Sequence, residues 1–311
     1  GDLDGAFVAA RPDIVIHTTG PFQRQGYQVA EAAIAAGAHY LDLADARRFV
    51  CGIAALDKAA REAGLLAVSG ASSVPCLTAA IVDHYAPHFA ALRSLDYGIS
   101  AAQQTNRGLA TARAVLGSAG KPFTMLRDGR MRRVFGWQDL HAERYPALGR
   151  RWLGNCDIPD LDLFPRRYPA LRNMRFAAGH ELALLHFGTW GLSWLVRARL
   201  MPSLDRIAPA LLSANFLFDA LGSGNSGFHM HLDGINADGT AKRISVRLVA
   251  GSGHGPLIPC MPAILLARRL ARGEIAARGA MPCLDLVGLP DYLTALEDLD
   301  ITLHIEGADP P

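Results

Sequence analysis

The residues best suited to bind a ligand form two loops that follow short apolar runs. The first loop is Thr19-Gly20-Pro21-Phe22, and the second is Gly70-Ala71-Ser72-Ser73-Val74-Pro75. Glycine lets the backbone approach a ligand closely, and proline fixes the turn. Both loops also have a purely structural interpretation, the first as a tight strand exit with a core phenylalanine. The second would then be an ordinary serine-capped helix start.

Charged residues nearby suit proton transfer and substrate binding. Asp42 and Asp45 flank the end of an apolar run and could orient a hydroxyl or an amine, with Asp45 the preferred candidate. Arg107 and Lys121 could each bind a substrate carboxylate, the arginine through two parallel hydrogen bonds. His254, in a glycine-rich loop, is a candidate acid or base. Loop carboxylates and solvated surface cations remain the alternative interpretations.

A repeated strand and helix pattern must position these loops. Apolar runs at residues 13–17, 39–43 and 65–69 recur about every 26 residues, and helical patterns follow at 26–36, 52–63 and 75–85. Ser73 is the expected cap of the third helix and Pro75 lies in its first turn. Runs of this kind suit burial on both faces. They predict an α/β fold with a partial doubly wound parallel sheet, whose carboxyl edge carries ligands.

The remainder predicts a second, α+β domain with a mixed or antiparallel sheet. We expect a strand at 95–101, a helix at 107–116, irregular chain over 117–175 and two apolar helices across 181–220. Strands at 227–233 and 242–250 flank the hairpin signal Asp238-Gly239, and a helix at 262–272 and a strand at 301–305 follow. The predicted domains are residues 1–92 and 93–311, with the last helix free to pack back on the first domain.

Composition narrows the functional class. The net charge of +2 and 50% hydrophobic content argue against nucleic acid as a partner and favour a sizeable core. The odd number of cysteines, five, without a Cys-x-x-Cys pair, favours a reducing, cytoplasmic environment. No metal site is expected, because the pairs His84/His88 and His229/His231 have no third ligand near them in sequence.

Two features bear on association. The apolar stretch at residues 182–196 is shorter than the roughly 20 residues of a membrane span, which leaves interfacial membrane contact as an option. The strands at 227–233 and 242–250 could form an open sheet edge, and pairing of such edges would give a homodimer.

An ordered set of motifs resembles the saccharopine dehydrogenase-like oxidoreductases. The set comprises Thr19-Gly20-Pro21-Phe22, then Gly37-Ala38-His39-Tyr40-Leu41-Asp42, then Val68 to Pro75. Residues 107–111, 120–122 and 255–259 match a bacterial branch of the group more loosely, and Cys76 stands where glycine is common.

This resemblance implies an NAD- or NADP-dependent oxidoreductase acting on a small amino-acid-derived or keto substrate. The cofactor-binding residues it implies are Thr19, Gly20, Pro21, Phe22, Gly70, Ser72, Ser73, Val74 and Pro75. The family's Gly-x-Gly-x-x-Gly turn does not occur at the start of the sequence, so we expect a truncated cofactor domain. The competing hypothesis is a catalytically silent protein of the same fold that serves binding or assembly.

Overall fold

A computed structural model describes residues 3–105 and 108–308 of the chain. Its strands are β1 (Ile14–His17), β2 (His39–Asp42), β3 (Leu66–Ser69), β4 (Ala91–Ala101), β5 (Pro122–Arg127), β6 (Arg130–Phe135), β7 (His141–Tyr145), β8 (Gly149–Asn155), β9 (Asn173–His180), β10 (Ser226–Ile235), β11 (Ala241–Ala250), β12 (Gly279–Pro282) and β13 (Ile301–Glu306). Its α-helices are α1 (Leu3–Ala10), α2 (Gln28–Ala35), α3 (Arg47–Gly52), α4 (Asp57–Glu62), α5 (Thr78–Tyr85), α6 (Leu109–Ser118), α7 (Asp160–Arg167), α8 (Ala183–Arg197), α9 (Ala208–Phe216), α10 (Met261–Ala271) and α11 (Leu289–Thr294).

The chain folds into two compact units. Unit 1 comprises Gly1–Ile81, Ile158–Asp162 and Leu257–Leu296, and unit 2 comprises Val82–Asp157, Leu163–Pro256 and Glu297–Pro311. Unit 1 therefore takes residues from the late part of the chain, whereas the sequence-based division at residue 92 assigned nearly all of them to the second domain.

Unit 1 is built on a parallel sheet, as the sequence predicts. Its strand order is β1-β2-β3-β12, and all three pairings are parallel. Tyr40, Ile53 and Leu65 form part of a buried cluster, together with the small residues Ala30 and Ala33 of α2. Apolar side chains on both faces of the strands explain why the apolar runs are continuous rather than alternating.

Two helix predictions in unit 1 need correction. The helix expected at 52–63 is interrupted, because a 3-10 turn at Ile53–Leu56 separates α3 from α4. A π-helical turn at Ser73–Leu77 leads directly into α5 at Thr78, so Pro75 lies in the first turn as expected, although Val74 has an extended backbone (φ −119°, ψ 119°) and Ser73 is part of the turn. Ser73 therefore does not cap it, and the Thr78 hydroxyl donates instead to the Pro75 carbonyl at 3.1 Å.

A strand that the sequence did not reveal completes the parallel sheet. β12 pairs with β3 in the register Gly279–Leu66 to Pro282–Ser69. Asp57 Oδ1 accepts a hydrogen bond of 2.9 Å from the backbone N–H of Ala280, which attaches this strand to α4. Gly-Ala-Met-Pro has little of the β-branched character that marks a strand, so pattern alone gave no signal.

Unit 2 contains a mixed seven-stranded sheet with the order β13-β11-β10-β4-β9-β8-β7. The β4 and β9 strands are parallel and the other pairs antiparallel. The sheet curls back on itself. This is seen from the Tyr145 hydroxyl of its last strand, which lies 2.8 Å from His229 Nδ1 in the middle of the sheet. β5 and β6 form a separate antiparallel ribbon.

Alternation along the central strands divides the sheet of unit 2 into two different faces. Phe228, Met230 and Leu232 alternate with the polar residues His229 and His231 along β10, and all five are buried. One face therefore packs an apolar core, and the other carries buried polar groups. Burial lowers the pKa of His229 to about 3, so its ring is neutral at pH 7.

The expected irregular stretch at 117–175 is instead mostly regular, with β5 to β8, α7 and the start of β9. Its strands are short and rich in arginine, as in Arg130–Phe135, so the apolar alternation that identifies strands is weak. The two apolar helices expected across 181–220 are present as α8 and α9.

The hairpin around Asp238-Gly239 is confirmed, with β10 and β11 antiparallel over ten residue pairs. It is not an open edge, however, since β4 covers one side of the hairpin and β13 the other. The structural basis for edge-to-edge dimerisation through these two strands is therefore absent, and a homodimer stays a prediction. Within the described residues, no helix is both long and apolar enough to cross a membrane.

Candidate functional site

The loop after β1 lies at the carboxyl edge of the parallel sheet. Thr19 is exposed, and its carbonyl accepts a hydrogen bond of 2.6 Å from the Gln25 side chain. The same amide also donates to the carbonyl of Pro21 at 3.2 Å. Gln25 thus holds the Thr19-Gly20-Pro21 turn in a fixed shape, with the side chain of Thr19 facing solvent.

Phe22 does not extend from this loop as an open wall. Its side chain is only 6% exposed, and its ring centre lies 5.0 Å from that of His17 and 5.1 Å from that of Phe49. Tyr27 continues the aromatic cluster at 4.8 Å from Phe49. Phe22 therefore supports the turn from beneath, in agreement with the structural alternative for this residue.

Asp42 connects the ends of two neighbouring strands. Its Oδ1 atom accepts hydrogen bonds from Ser69 Oγ (3.0 Å) and from the backbone N–H groups of Gly70 (2.8 Å) and Ala44 (2.9 Å). The side chain is fully buried, and burial raises its pKa although these donors oppose the shift. Asp42 is thus a positioning group for the loop after β3 and has no exposed surface for a ligand.

Asp45 lies in the loop after β2 and is exposed. Its Oδ1 atom accepts a 3.4 Å hydrogen bond from Gln23 Nε2, so it contacts the segment that follows Gly20-Pro21-Phe22. The structure therefore brings Asp45 and the first loop together at one edge of the sheet.

The loop after β3 is more deeply buried than its serines and glycine suggest. Gly70 has φ +77°, and Ser72 and Ser73 are 7% and 8% exposed. Neither serine hydroxyl has a hydrogen-bond partner among the described residues. Neither oxygen is among the fully buried atoms without a partner, so both hydroxyls keep contact with the surface and are open to a polar ligand. Val74 and Pro75 complete the buried loop.

The remaining predicted residues belong to unit 2 or fall outside the described residues. Arg107 is not among the residues that the structure describes. Lys121 follows α6 and has no ion pair in the described part of the chain. His254 Nδ1 accepts a 2.8 Å hydrogen bond from the backbone N–H of Asp300, which gives it a loop-closing contact. The assignment of these three to catalysis stays a prediction.

Sequence reasoning missed a polar pair at the end of β1. His17 Nδ1 and the Tyr40 hydroxyl lie 2.9 Å apart, and both side chains are buried. Burial lowers the pKa of His17, which favours the neutral ring. A histidine that ends an otherwise apolar run is the signal that identifies this position.

Comparison with known proteins defines the fold. No protein-family model matches the chain, and no curated protein matches its sequence. Among solved structures, saccharopine dehydrogenase (L-Glu forming) from Saccharomyces cerevisiae is similar, with a TM-score of 0.63 at 12% identity, over 98% of this chain and 86% of that one. Amine dehydrogenase from Mycobacterium smegmatis follows, with a TM-score of 0.42 at 11% identity, over 91% and 78%.

The chain has a dehydrogenase-like fold. The likeness to the yeast structure extends over nearly the whole chain. It agrees with the parallel sheet of unit 1 and the mixed sheet of unit 2, and with the α/β class predicted from the sequence.

The close packing of Gly70 gives a first prediction. A Cβ there would lie 2.6 Å from Pro75 Cδ and 3.1 Å from Val50 Cγ1, at φ +77°. Gly70→Ala should therefore destabilise the protein by about 3 kcal/mol in urea unfolding, from left-handed strain plus overpacking. Gly64→Ala is the matched control, since Gly64 has φ +70° and nothing within 4 Å of its Cβ. It should cost about 1 kcal/mol, and equal losses would contradict the packing argument.

Asp42 gives a pH-dependent prediction. Its folded-state pKa is raised, so between the unfolded value of about 3.9 and the folded value the native state holds more protons. Asp42 therefore makes stability fall as pH rises through that window. Asp42→Asn keeps an oxygen that can accept the bonds now made to Oδ1, and it removes the titration. Its unfolding free energy relative to the wild type should rise with pH above about 4.

Asp42→Ala serves as the comparison. It leaves the hydroxyl of Ser69 and the N–H groups of Gly70 and Ala44 without their acceptor, and should cost about 2–4 kcal/mol at pH 7. Urea unfolding of the three proteins between pH 4 and 8 measures both effects. A pH-independent difference between Asp42→Asn and the wild type would show that Asp42 does not titrate in this range.

Proposed function

We propose that the protein is an NAD(P)-dependent oxidoreductase that holds the nicotinamide half of its cofactor at the carboxyl edge of the parallel sheet. The observation that carries the proposal is the pair of serines after β3, Ser72 and Ser73, whose residues are largely buried while their hydroxyls bond to no other described residue and keep contact with the surface. Ligands of open α/β sheets bind at this edge of the strands. The dehydrogenase-like fold supports the same assignment.

The residues at this edge suit such a ligand. The hydroxyls of Ser72 and Ser73 would donate to a carboxamide or ribose oxygen, and the solvent-facing Thr19 would contact it from the first loop. Gly70 allows the tight turn, and its backbone N–H donates a hydrogen bond to Asp42 Oδ1, which holds the turn in place. A bound nicotinamide would supply or accept a hydride at this position.

The substrate we propose is a small amino-acid-derived imine or a keto acid. Asp45 is exposed at the same edge and is the residue in unit 1 best placed to orient an amine or hold a proton. Contacts with the adenosine half of the cofactor determine whether such a fold binds NAD or NADP.

Ligand-observed saturation-transfer NMR with nicotinamide mononucleotide tests the proposal, because this probe contains only the nicotinamide half. We expect binding by the wild type, and an affinity at least five-fold weaker for Ser72→Ala/Ser73→Ala, about 1 kcal/mol for the lost donors. Ser118→Ala is the matched control, since this serine ends α6 in unit 2 and its hydroxyl donates to the Val115 carbonyl at 2.8 Å. It should leave the affinity within about two-fold.

The proposal fails if neither nicotinamide mononucleotide nor NADPH or NADH binds, or if the double variant binds as well as the wild type. The second candidate function is that of a catalytically inactive protein of this fold. A turnover assay distinguishes it from an enzyme. Oxidation of reduced nicotinamide across a panel of keto acids with ammonia or amino acids would support the enzyme. Binding without turnover across that panel would favour a role in binding or assembly.

A further inference from the structure

The polar face of the sheet in unit 2 concentrates histidine and carboxylate groups. Asp96 of β4 lies directly opposite His231 of β10, and Gly98 lies opposite His229. A Cβ at Gly98 would approach His229 Cε1 to 3.0 Å, so the glycine leaves room for this imidazole ring. The three polar side chains therefore share one face of two adjacent strands.

The curl of the sheet brings further ligands against this face. β7 carries His141, Glu143 and Tyr145 at alternate positions, which point to the same side of the strand. Glu143 lies 3.2 Å from His231 Nε2 and Tyr145 lies 2.8 Å from His229 Nδ1. Groups that are distant in sequence thus surround one buried volume.

Two overlapping sets of three residues have ligand atoms within 4.8 Å of one another. They are Asp96, His141 and His229, and Glu143, His229 and His231. The second set is already occupied internally, because Glu143 also accepts from Arg247 at 3.2 Å, and His231 Nδ1 lies 2.9 Å from Ser245 Oγ. In the first set Asp96 is also engaged, by Arg175, but both ring nitrogens of His141 have no hydrogen-bond partner among the described residues.

His141 is the least satisfied polar residue of the first set. Both of its ring nitrogens are buried, and neither has a hydrogen-bond partner among the described residues. The Tyr145 hydroxyl engages His229 Nδ1, which leaves Nε2 as the nitrogen available to a ligand and fixes the ring, as outer partners of metal-bound histidines do. Arg175 binds the two oxygens of Asp96, and a carboxylate retains further lone pairs for a cation.

One member of the set, Asp96, lies at the surface. Asp96 lines an open surface depression of about 470 Å³, together with Leu140, which precedes His141. His141 and His229 do not line the depression, so an ion would reach them past Asp96. Tetrahedral bonds of about 2.1 Å would separate ligand atoms by about 3.4 Å, so atoms that lie within 4.8 Å of one another need to approach by at most about 1.4 Å.

We propose that Asp96, His141 and His229 bind one divalent transition-metal ion of the zinc class. Two imidazoles and one carboxylate are a ligand set that such ions favour, and three protein ligands leave an open position for water or a further ligand. The unpaired nitrogens of His141 and the open depression beside Asp96 distinguish this set from an ordinary buried ion-pair network.

Metal content of the full chain tests the proposal directly. After treatment with a chelator, equilibrium dialysis against Zn²⁺ and elemental analysis should give one zinc per chain, and Co²⁺ should give visible absorption bands of a site with nitrogen ligands. His141→Ala should weaken Zn²⁺ binding by at least about 100-fold, and Tyr145→Phe by about ten-fold. His141→Ala is expected to fold, since the ring makes no hydrogen bond that its removal would break.

His88→Ala is the matched control. His88 is exposed, and its substitution removes the surface pair with His84, which is the alternative place where Zn²⁺ could bind. It should leave Zn²⁺ binding unchanged. Zn²⁺ should also raise the unfolding temperature of the wild type and of His88→Ala but not of His141→Ala. Less than one zinc per wild-type chain, undiminished binding by His141→Ala or loss of binding in His88→Ala would each overturn the proposal.

Discussion

A single buried carboxylate oxygen sets the shape of the candidate ligand edge in unit 1. Asp42 Oδ1 accepts from the ends of its own strand and of the neighbouring one, through Ala44, Ser69 and Gly70. The carboxyl ends of β2 and β3 are therefore joined where they leave the sheet, and the serines that follow Gly70 are presented in a fixed arrangement. Burial of a charged group is costly, and three donors to one oxygen offset much of that cost.

The sequence predicted those parts of the fold whose residues interact locally. Continuous apolar runs at β1, β2 and β3 with helices between them identify a parallel sheet, and Asp238-Gly239 identifies the hairpin of β10 and β11. β12 was not predictable, because its only strong signal is its pairing with β3. The arginine-rich strands of unit 2 likewise acquire their pairing from neighbours rather than from an alternating pattern.

The candidate sites likewise include features that local sequence predicts and features that depend on the packing of distant residues. Glycine, proline and serine at strand ends marked both loops, and the exposed Asp45 contacts Gln23, which follows the first loop, while its role in catalysis stays a prediction. Burial was not predictable, so Phe22 and the second loop are more enclosed than expected. Spacing of residues along the sequence could not predict the cluster around His141 and His229, because the curl of the sheet brings its members together from three separate strands.

The late strand β12 has a consequence for biosynthesis. Its contact with Asp57 joins residues 223 positions apart, so unit 1 cannot complete its sheet until most of the chain has left the ribosome. Until then β3 presents an unpaired edge, and contacts of such long range form slowly. Addition of the last strand is therefore a late event in translation, after β1, β2 and β3 have been able to pair.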